Sequence, residues 1–383
     1  MEELKRLRNE IERLQTENER LRSANHEKSG SSESTLNESL RKCWMIGLTV
    51  LDIHAYPVKT IPEGGSVEFV DEIHTSLAGT CGGTSYTASK LAMNVQMLGA
   101  IGTDPKGVFI EQIMSHANIS TNGLQRLSSH RTSCTVINVR PNGDRPCLHA
   151  LGASDHLELS KADMDGIVED MNEYANGIKE GMAVLHIGGT GLQQGCPQEQ
   201  TVLLLLRRIR QEEHDNAARS PIIVTMDLIA PHSGMLDLLT EMLPMVDYFM
   251  PSIEEAEGIS NLSGPQLSGS FFLNLGVRNA VIVKSGSLGS HYLPQLSNAS
   301  ASQTKETIHH IPICHDVIVV DTTGAGDAYC AGFVTAKSRG LDDLMACRVG
   351  TATAGLCCTG LGSDAGNTSW ESTVKFMEEH LTS

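Results

Sequence analysis

The feature that most restricts the fold is a regular alternation of strand-length apolar segments with helix-length segments in the second half of the chain. Strands are predicted at 183–187, 222–226, 246–250, 280–284 and 318–320. Helices are predicted at about 198–213, 234–243, 266–275, 325–338 and 341–358. Strands that alternate with helices pair in parallel, because each helix returns the chain to the same end of the sheet. The sequence therefore predicts an α/β protein with a mostly parallel central sheet.

The first half carries signals for antiparallel structure. Two strand-like runs, 134–140 and 145–150, flank Pro141-Asn142-Gly143-Asp144, and Asn-Gly between such runs is typical of a tight β-hairpin. A further strand is predicted over 44–51 and leads to Asp52, and residues 66–74 alternate in part. A small sheet separate from the parallel one is expected here.

Charge and cysteine usage restrict the partners and the compartment. The 383 residues include 46 acidic and 29 basic ones, for a formal net charge of −17, which excludes binding of nucleic acid or anionic lipid through a broad basic surface. The longest aliphatic run, 202–206, is far shorter than the roughly 20 residues that span a bilayer. The ten cysteines contain no C-x-x-C pair, as expected of reduced thiols. We expect a cytoplasmic protein with no nucleic-acid or membrane partner.

The N-terminal residues 1–28 show a heptad pattern. Apolar residues recur at alternating steps of three and four, at Leu4, Leu7, Ile11, Leu14 and Leu21. Asn18 takes a core a position, which favours a two-stranded parallel coiled coil and hence a homodimer. The alternative is a single solvated amphipathic helix, since about three heptads are marginal alone. Residues 29–42, rich in Ser, Glu and Asn at their start, are predicted to be a flexible linker.

The segment 317–333 carries the strongest chemical signal. It is predicted to run from a buried strand through a glycine turn into a helix, and such a helix start binds anions through its free N–H groups and its dipole. Asp327 lies in the first turn and Asp321 six residues earlier. An acid in a first turn is also a common helix cap. Two carboxylates that bracket the turn would repel a phosphate, unless one binds a cation and the other acts as a base.

At this point the sequence resembles the ribokinase-like (PfkB) carbohydrate kinases. Asp321-Thr322-Thr323-Gly324-Ala325-Gly326-Asp327 matches the C-terminal signature of that family, and 78–107 resembles its Gly-Gly substrate turn and the helix that follows. The resemblance spans about 44–366. It implies a three-layer α/β/α fold with a mostly parallel central sheet in a kinase domain at 43–366, a small β-lid from about 54–76 and 131–152, and a C-terminal tail or helix at 367–383.

The resemblance assigns roles around the glycine turn and the acceptor. Asp327 would be the general base that removes the acceptor's proton. Backbone N–H groups of three neighbours would form the anion hole for the transferring phosphoryl group: Gly324, Ala325 and Gly326. Residues that match substrate contacts of the family are Asp52, Gly79 and Gly83.

The same resemblance places the nucleotide and the cations. Nucleotide phosphates would be lined by Lys284, Gly286, Ser287 and Gly289. Glu255 would organise Mg²⁺ through water, with a plain acidic helix start as the alternative. Asp321 and Thr323 fall where family members hold a monovalent cation such as K⁺.

Four positions depart from the family pattern: Ala78, Gly83, Ser252 and Lys284. The expected function is ATP-dependent transfer of a γ-phosphoryl group to a hydroxyl of a sugar or sugar acid. One alternative is a nucleoside kinase of the same fold. The other alternative is a catalytically idle nucleotide-binding scaffold assembled by the coiled coil. We also expect a homodimer formed by the coiled coil, the lid or both.

Overall fold

The computed structural model describes residues 41–141, 144–178, 180–216, 221–229, 231–295 and 308–381. The coiled coil predicted at 1–28 and nearly all of the linker predicted at 29–42 lie outside this part of the chain. The described strands are β1 (Arg41–Gly47), β2 (Val50–Tyr56), β3 (Glu72–Ala78), β4 (Met93–Gly102), β5 (Ser120–Leu127), β6 (Cys134–Asn138), β7 (Cys147–Ala150), β8 (Ala183–Gly188), β9 (Ile222–Asp227), β10 (Tyr248–Phe249), β11 (Ala280–Lys284), β12 (Ser290–Pro294) and β13 (His309–Ile311).

The described helices are α1 (Thr80–Lys90), α2 (Pro105–His116), α3 (Lys161–Gly177), α4 (Pro197–Asp215), α5 (Met235–Met242), α6 (Ile253–Ser260), α7 (Pro265–Asn274), α8 (Ala325–Ser338), α9 (Asp343–Cys357) and α10 (Trp370–His380). Local sequence sets their ends: Pro197 begins α4, and the Asp342 side chain caps α9 by accepting from the Met345 amide. Of these helices, none is both long and apolar enough to cross a membrane.

The main sheet has the order β13-β12-β11-β10-β9-β8-β1-β4-β5 among the described strands. Pairing is parallel from β11 to β5 and antiparallel only between β11 and β12 and between β12 and β13. The expected α/β fold with a mostly parallel sheet is therefore confirmed. Its parallel strands end at one edge, where the loops that follow β8, β9 and β11 meet.

Helices cover both faces of the sheet, so its central strands are buried on two sides. Alternate residues of β1 enter different cores, Trp44 and Ile46 on one face and Cys43 and Met45 on the other. Helices α3, α4, α5 and α7 pack in the first core, and α1, α2, α8 and α9 pack in the second.

The expected small sheet is also present and has the order β3-β2-β6-β7. The hairpin predicted around 141–144 is formed by β6 and β7, which pair antiparallel. Strand alternation gives this sheet, the lid, one polar face and one apolar face. Asp52 lies opposite Ser76 and Thr135 on the polar face, whereas Ile53 and Val136 pair on the apolar face.

Three details differ from the sequence prediction. Residues 318–320 form no strand, and Ile318 and Val319 are 83% and 59% exposed. The predicted strand 246–250 pairs only at Tyr248–Phe249. The prediction that Asp52 lies at a strand end is wrong, because the chain leaves β1 after Gly47 and Asp52 is the third residue of β2. An apolar β-branched run predicts extended backbone, but it cannot specify whether a neighbouring strand is in reach.

Candidate active site

The glycine turn is the N-terminus of α8. Gly324 is the N-cap residue and has a left-handed φ of 76°, which strongly favours glycine. A Cβ at this position would also collide with the Cβ of Ser363, which packs against the turn. Ala325 and Gly326 follow as the first helical residues. The Ala325 amide donates to the Thr322 carbonyl at 3.3 Å, and the first-turn N–H groups have no partner within the helix itself. The glycine turn thus places backbone donors at the start of α8.

Asp327 is the third residue of α8 and lies where α8 meets α1. Its backbone carbonyl accepts a hydrogen bond from Thr84 Oγ1 at 3.3 Å. A Cβ on Gly83 would come within 2.6 Å of Asp327 Oδ2, so α1 can approach the carboxyl only because residue 83 has no side chain. A larger residue there would displace the carboxyl of Asp327.

The electrostatic surroundings of Asp327 show which predicted site residues come together. Burial raises the pKa of Asp327 well above its usual range, the carboxylates of Asp227, Asp52 and Glu255 raise it further, and Lys284 lowers it. A carboxyl with a raised pKa in a cleft is suited to accept a proton. The structure thus gathers the predicted base, one predicted substrate residue, the predicted magnesium residue and the predicted nucleotide lysine around one point.

Asp227 is a site residue that the sequence reading did not select. It is the last residue of β9 and only 2% exposed, and its Oδ1 lies 2.7 Å from Lys284 Nζ at the end of β11. Burial alone would lower the pKa of Lys284, but Asp227 raises it above its ordinary value, so the lysine stays charged. The available signal was its place at the carboxyl end of a buried parallel strand, beside the other predicted residues.

The lid contributes Asp52 from its polar face. The carboxyl is 8% exposed, burial raises its pKa to about 6, and a hydrogen bond with the Thr135 side chain opposes that shift. Thr135 Oγ1 lies 3.1 Å from His149 Nδ1 on β7. The predicted substrate turn lies beside the lid. Gly79 is the N-cap residue of α1 and has φ 77°, and a Cβ on it would lie 2.6 Å from the Leu48 carbonyl oxygen.

Glu255 is an acid at a helix start, and it also lies near the predicted base Asp327. It closes a capping box at the start of α6, where its Oε2 accepts from the Ser252 amide at 2.8 Å and Ser252 Oγ accepts from the Glu255 amide at 3.2 Å. Burial and then Asp227 raise its pKa, although Lys284 opposes this. Glu255 therefore caps helix α6 and also lies near the carboxyl of Asp327.

Asp321 and Thr323 form a tight polar turn that touches the lid. Asp321 Oδ1 accepts from the Thr323 amide at 2.9 Å and from its hydroxyl at 2.8 Å, and Oδ2 accepts from the Gly362 amide at 3.0 Å. Two lid side chains that the sequence reading did not select approach this turn: Arg145 donates to Thr323 Oγ1 at 3.2 Å, and His54 Nδ1 lies 3.9 Å from Asp321 Oδ2.

The predicted nucleotide turn lies between β11 and β12. Gly286 and Gly289 have positive φ values of 54° and 83°, and residues 286–288 form a single 3₁₀ turn that includes Ser287. Lys284 begins this connection, but its side chain turns toward Asp227. The 286–289 turn and Asp321 are not among the groups that chiefly shift the pKa of Asp327. They therefore stand apart from the charged residues that act on Asp327.

The comparison that decides the family covers nearly all of the described body. The sequence model described as "pfkB family carbohydrate kinase" matches residues 40–370. The chain belongs to the pfkB family of carbohydrate kinases. The resemblance read from 321–327 and 78–107 is thereby confirmed, and the chain is a pfkB-family carbohydrate kinase.

Individual pfkB relatives differ in their acceptors. A fructokinase of Klebsiella pneumoniae is 24% identical over 311 residues, which cover 80% of this chain and 87% of the relative. A nucleoside kinase of Methanocaldococcus jannaschii is 22% identical over 346 residues, covering 89% and 98%. A crystal structure from E. coli in complex with ATP and Mg²⁺ has a TM-score of 0.70 at 20% identity, covering 89% of this chain and 100% of that chain. This likeness confirms the ribokinase-like fold.

Proposed function

We propose that this pfkB kinase transfers the γ-phosphoryl group of ATP to a hydroxyl group, preferably a primary one, of a sugar or sugar acid. The observation that carries the proposal is the position of Asp327, a carboxyl with a raised pKa in the first turn of α8, directly after the Gly324–Gly326 donors. A base beside an anion-binding helix start is the pairing that phosphoryl transfer to an alcohol requires.

The proposed reaction uses these groups in one step. The acceptor hydroxyl oxygen forms a bond to the γ-phosphorus, the bond from that phosphorus to the β–γ bridging oxygen breaks, and ADP leaves with that oxygen. The acceptor's proton passes to the ionised carboxylate of Asp327. The turn amides and Lys284 stabilise negative charge on the transferring group. Lid closure over the acceptor excludes water, which would otherwise compete as the acceptor.

The carboxylate of Glu255 fits a magnesium role in charge and ligand type. It lies within electrostatic reach of Asp327, and oxygen ligands and water are what Mg²⁺ prefers. Bound Mg²⁺ would neutralise charge on the β- and γ-phosphate oxygens. Glu255 would hold its water shell through Oε1, since Oε2 accepts from the Ser252 amide.

A monovalent cation such as K⁺ fits beside Asp321. This carboxylate is 2% exposed, and within the described ranges it forms no ion pair with a lysine or arginine. A buried charge without such a partner is costly, and a bound cation would offset that cost. Asp321 and Thr323, which precede Gly324 in the chain, would stabilise the turn that forms the anion hole.

The acceptor would lie between Asp52 of the lid and Asp327, with Gly79 and Gly83 allowing close approach. A nucleoside is the second candidate, favoured by the nucleoside kinase relative that aligns with 89% of this chain.

The ten cysteines are all free thiols, which supports a cytoplasmic location. We also propose a homodimer, formed by the lid, the N-terminal residues or both.

An acceptor panel tests the function. ADP release is measured with pentoses, hexoses, keto-sugar acids and adenosine, each with K⁺ and with K⁺ replaced by tetramethylammonium. We expect turnover of at least one sugar, stimulation by K⁺, and a loss of about 10²- to 10⁴-fold in kcat for Asp327→Asn with an unchanged circular dichroism spectrum. Equal turnover by wild type and Asp327→Asn contradicts the assignment of the base. Tight ATP binding without turnover of any acceptor would instead support an idle scaffold.

A further inference from the structure

A buried ion pair crosses the carboxyl edge of the sheet beneath the glycine turn. Asp227 ends β9 and Lys284 ends β11, so the lysine side chain spans β10, the strand between them, to reach Oδ1 at 2.7 Å. The two side chains are 2% and 12% exposed. A lysine has a flexible stem and loses much rotamer freedom when it is fixed, so a partner of this kind determines where its ammonium lies.

The pair lies directly against the first turn of α8. A Cβ on Gly326 would lie 3.4 Å from Lys284 Nζ, so the ammonium faces the helix start where a side chain is missing. One turn further along α8, Cys330 Sγ lies 3.3 Å from Asp227 Oδ2 and 3.7 Å from Lys284 Nζ. Both oxygens of Asp227 are therefore engaged, Oδ1 by the lysine and Oδ2 by the helix.

The charges around this point make a fixed cation valuable. Asp52, Asp227 and Glu255 all act on Asp327 as negative groups, whereas Lys284 acts as a positive one. An ammonium has three N–H donors. Lys284 can therefore donate one hydrogen to Asp227 and one to Cys330 Sγ, and still present the third to an oxyanion at the turn.

We propose that Asp227 is a positioning residue for the reaction: it fixes Lys284 Nζ against the Gly326 turn, where the ammonium contacts oxygens of the transferring phosphoryl group. This inference rests on the proposed kinase function. It assigns Lys284 to the γ-position rather than to the nucleotide in general. A purely structural ion pair would instead affect folding and leave the binding of the γ-group unchanged.

Calorimetric titration of the full chain separates these roles without any acceptor. The probes are Mg²⁺-ADP alone and Mg²⁺-ADP with beryllium fluoride, which occupies the position of the γ-phosphoryl group. We expect Lys284→Met to weaken binding of the beryllium fluoride complex by about tenfold to a hundredfold, because a hydrogen bond to a charged group is lost. Binding of Mg²⁺-ADP alone should change far less. Asp227→Asn should act in the same direction.

The double variant keeps the test decisive if Asp227→Asn alone is unstable. Asp227→Asn leaves a buried lysine unpaired, whereas Asp227→Asn with Lys284→Met leaves no charge behind. The double variant should bind the beryllium fluoride complex as Lys284→Met does. A further loss in the double variant, or equal losses for ADP with and without beryllium fluoride, overturns the inference.

Asp247→Asn is the matched control. Asp247 is another buried aspartate, 4% exposed, and pairs with Arg210 at 2.7 Å and Arg278 at 3.0 Å. Its loss should lower the melting temperature but leave both binding constants unchanged. If wild type turns over no acceptor and binds no nucleotide, the proposed function fails as a whole. If wild type turns over an acceptor but Asp227→Asn binds the beryllium fluoride complex normally, only the inference fails.

Discussion

Burial raises the pKa of both Asp327 and Asp52, but the proposed roles of these two carboxyl groups differ. Asp327 must lose its proton to act as a base, whereas Asp52 binds hydroxyl groups best as an ionised acceptor. The pKa of Asp52, about 6, places its titration close to neutral pH. In its proposed role, the ionised Asp52 above that pH can accept hydrogen bonds from sugar hydroxyl groups at both oxygens. Below it the carboxyl carries a proton and one of those bonds is lost.

We therefore predict that the affinity for the acceptor decreases as the pH falls through about 6. Acceptor dissociation constants are measured between about pH 5 and about pH 8, in the Asp327→Asn background so that Asp327 does not titrate. Asp52→Asn in the same background should bind the acceptor about tenfold more weakly than the Asp327→Asn variant, at every pH. An unchanged pH dependence after Asp52→Asn would assign the effect to another group.

The contact between α1 and α8 connects the substrate turn to the base. Gly83 on α1 leaves room for the carboxyl of Asp327, and Thr84 holds the backbone carbonyl of the same residue. In the proposed reaction the two helices would therefore fix the distance between the acceptor and the phosphoryl group. A small displacement here affects the geometry of the reacting atoms more than the stability of the fold.

We predict that Gly83→Ala decreases kcat by about a hundredfold, because its Cβ would lie 2.6 Å from Asp327 Oδ2 and the carboxyl must move. Steady-state kinetics with a turned-over sugar measure this effect. Gly166→Ala in the middle of α3 is the control, since a Cβ there meets no atom within 4 Å. It should keep full activity and gain a little stability. Normal kcat for Gly83→Ala would show that Asp327 has room to spare.

Strands β8, β9 and β11 of the main sheet followed from the sequence because burial on both faces leaves a strong apolar signal. The β8 run is buried throughout, and the prediction of 183–187 is within one residue of Ala183–Gly188. The segment 318–320 has the same apolar character, but Val320 donates to the Cys358 carbonyl at the end of α9 instead of pairing with a strand. Hydrophobic composition does not distinguish these two outcomes.

The site was predictable where a local motif carries it and not where the topology creates it. The run 321–327 places the turn and the base within one segment. Asp227 and Lys284 are 57 residues apart and meet only because β9 and β11 flank β10. Arg145 likewise reaches Thr323 only because the lid folds over the turn. Long-range pairing of this kind leaves no periodic trace in a single sequence.

Across the whole molecule, the net charge of −17 restricts where a nucleotide can be bound. A field of that sign opposes an anionic ligand, so affinity must come from close contacts rather than from long-range attraction. Lys284 and the start of α8 are the local donors, and magnesium adds positive charge when bound. The same field disfavours the binding of polyanions such as nucleic acid through a broad surface.

The apolar face of the lid exposes large hydrophobic side chains to solvent. Ile73, Val136 and Leu148 share this face through the register of β3, β2, β6 and β7, and they are 67%, 38% and 73% exposed. Contiguous exposed apolar groups on a sheet mark an interaction surface. A second lid of the same chain is apolar in the same way and so fits this face.

We predict that the lid holds a dimer together even without the N-terminal residues. Light-scattering mass measurement at micromolar concentration should find a dimer for the full chain and for a variant that lacks residues 1–40. Leu148→Glu, which places a charge in the apolar face, should convert the shortened variant to a monomer with an unchanged circular dichroism spectrum. Leu204→Glu on α4, at a leucine that is 47% exposed and outside the lid, is the control and should remain dimeric. A monomer produced by the deletion alone would instead assign the association to the N-terminal heptads.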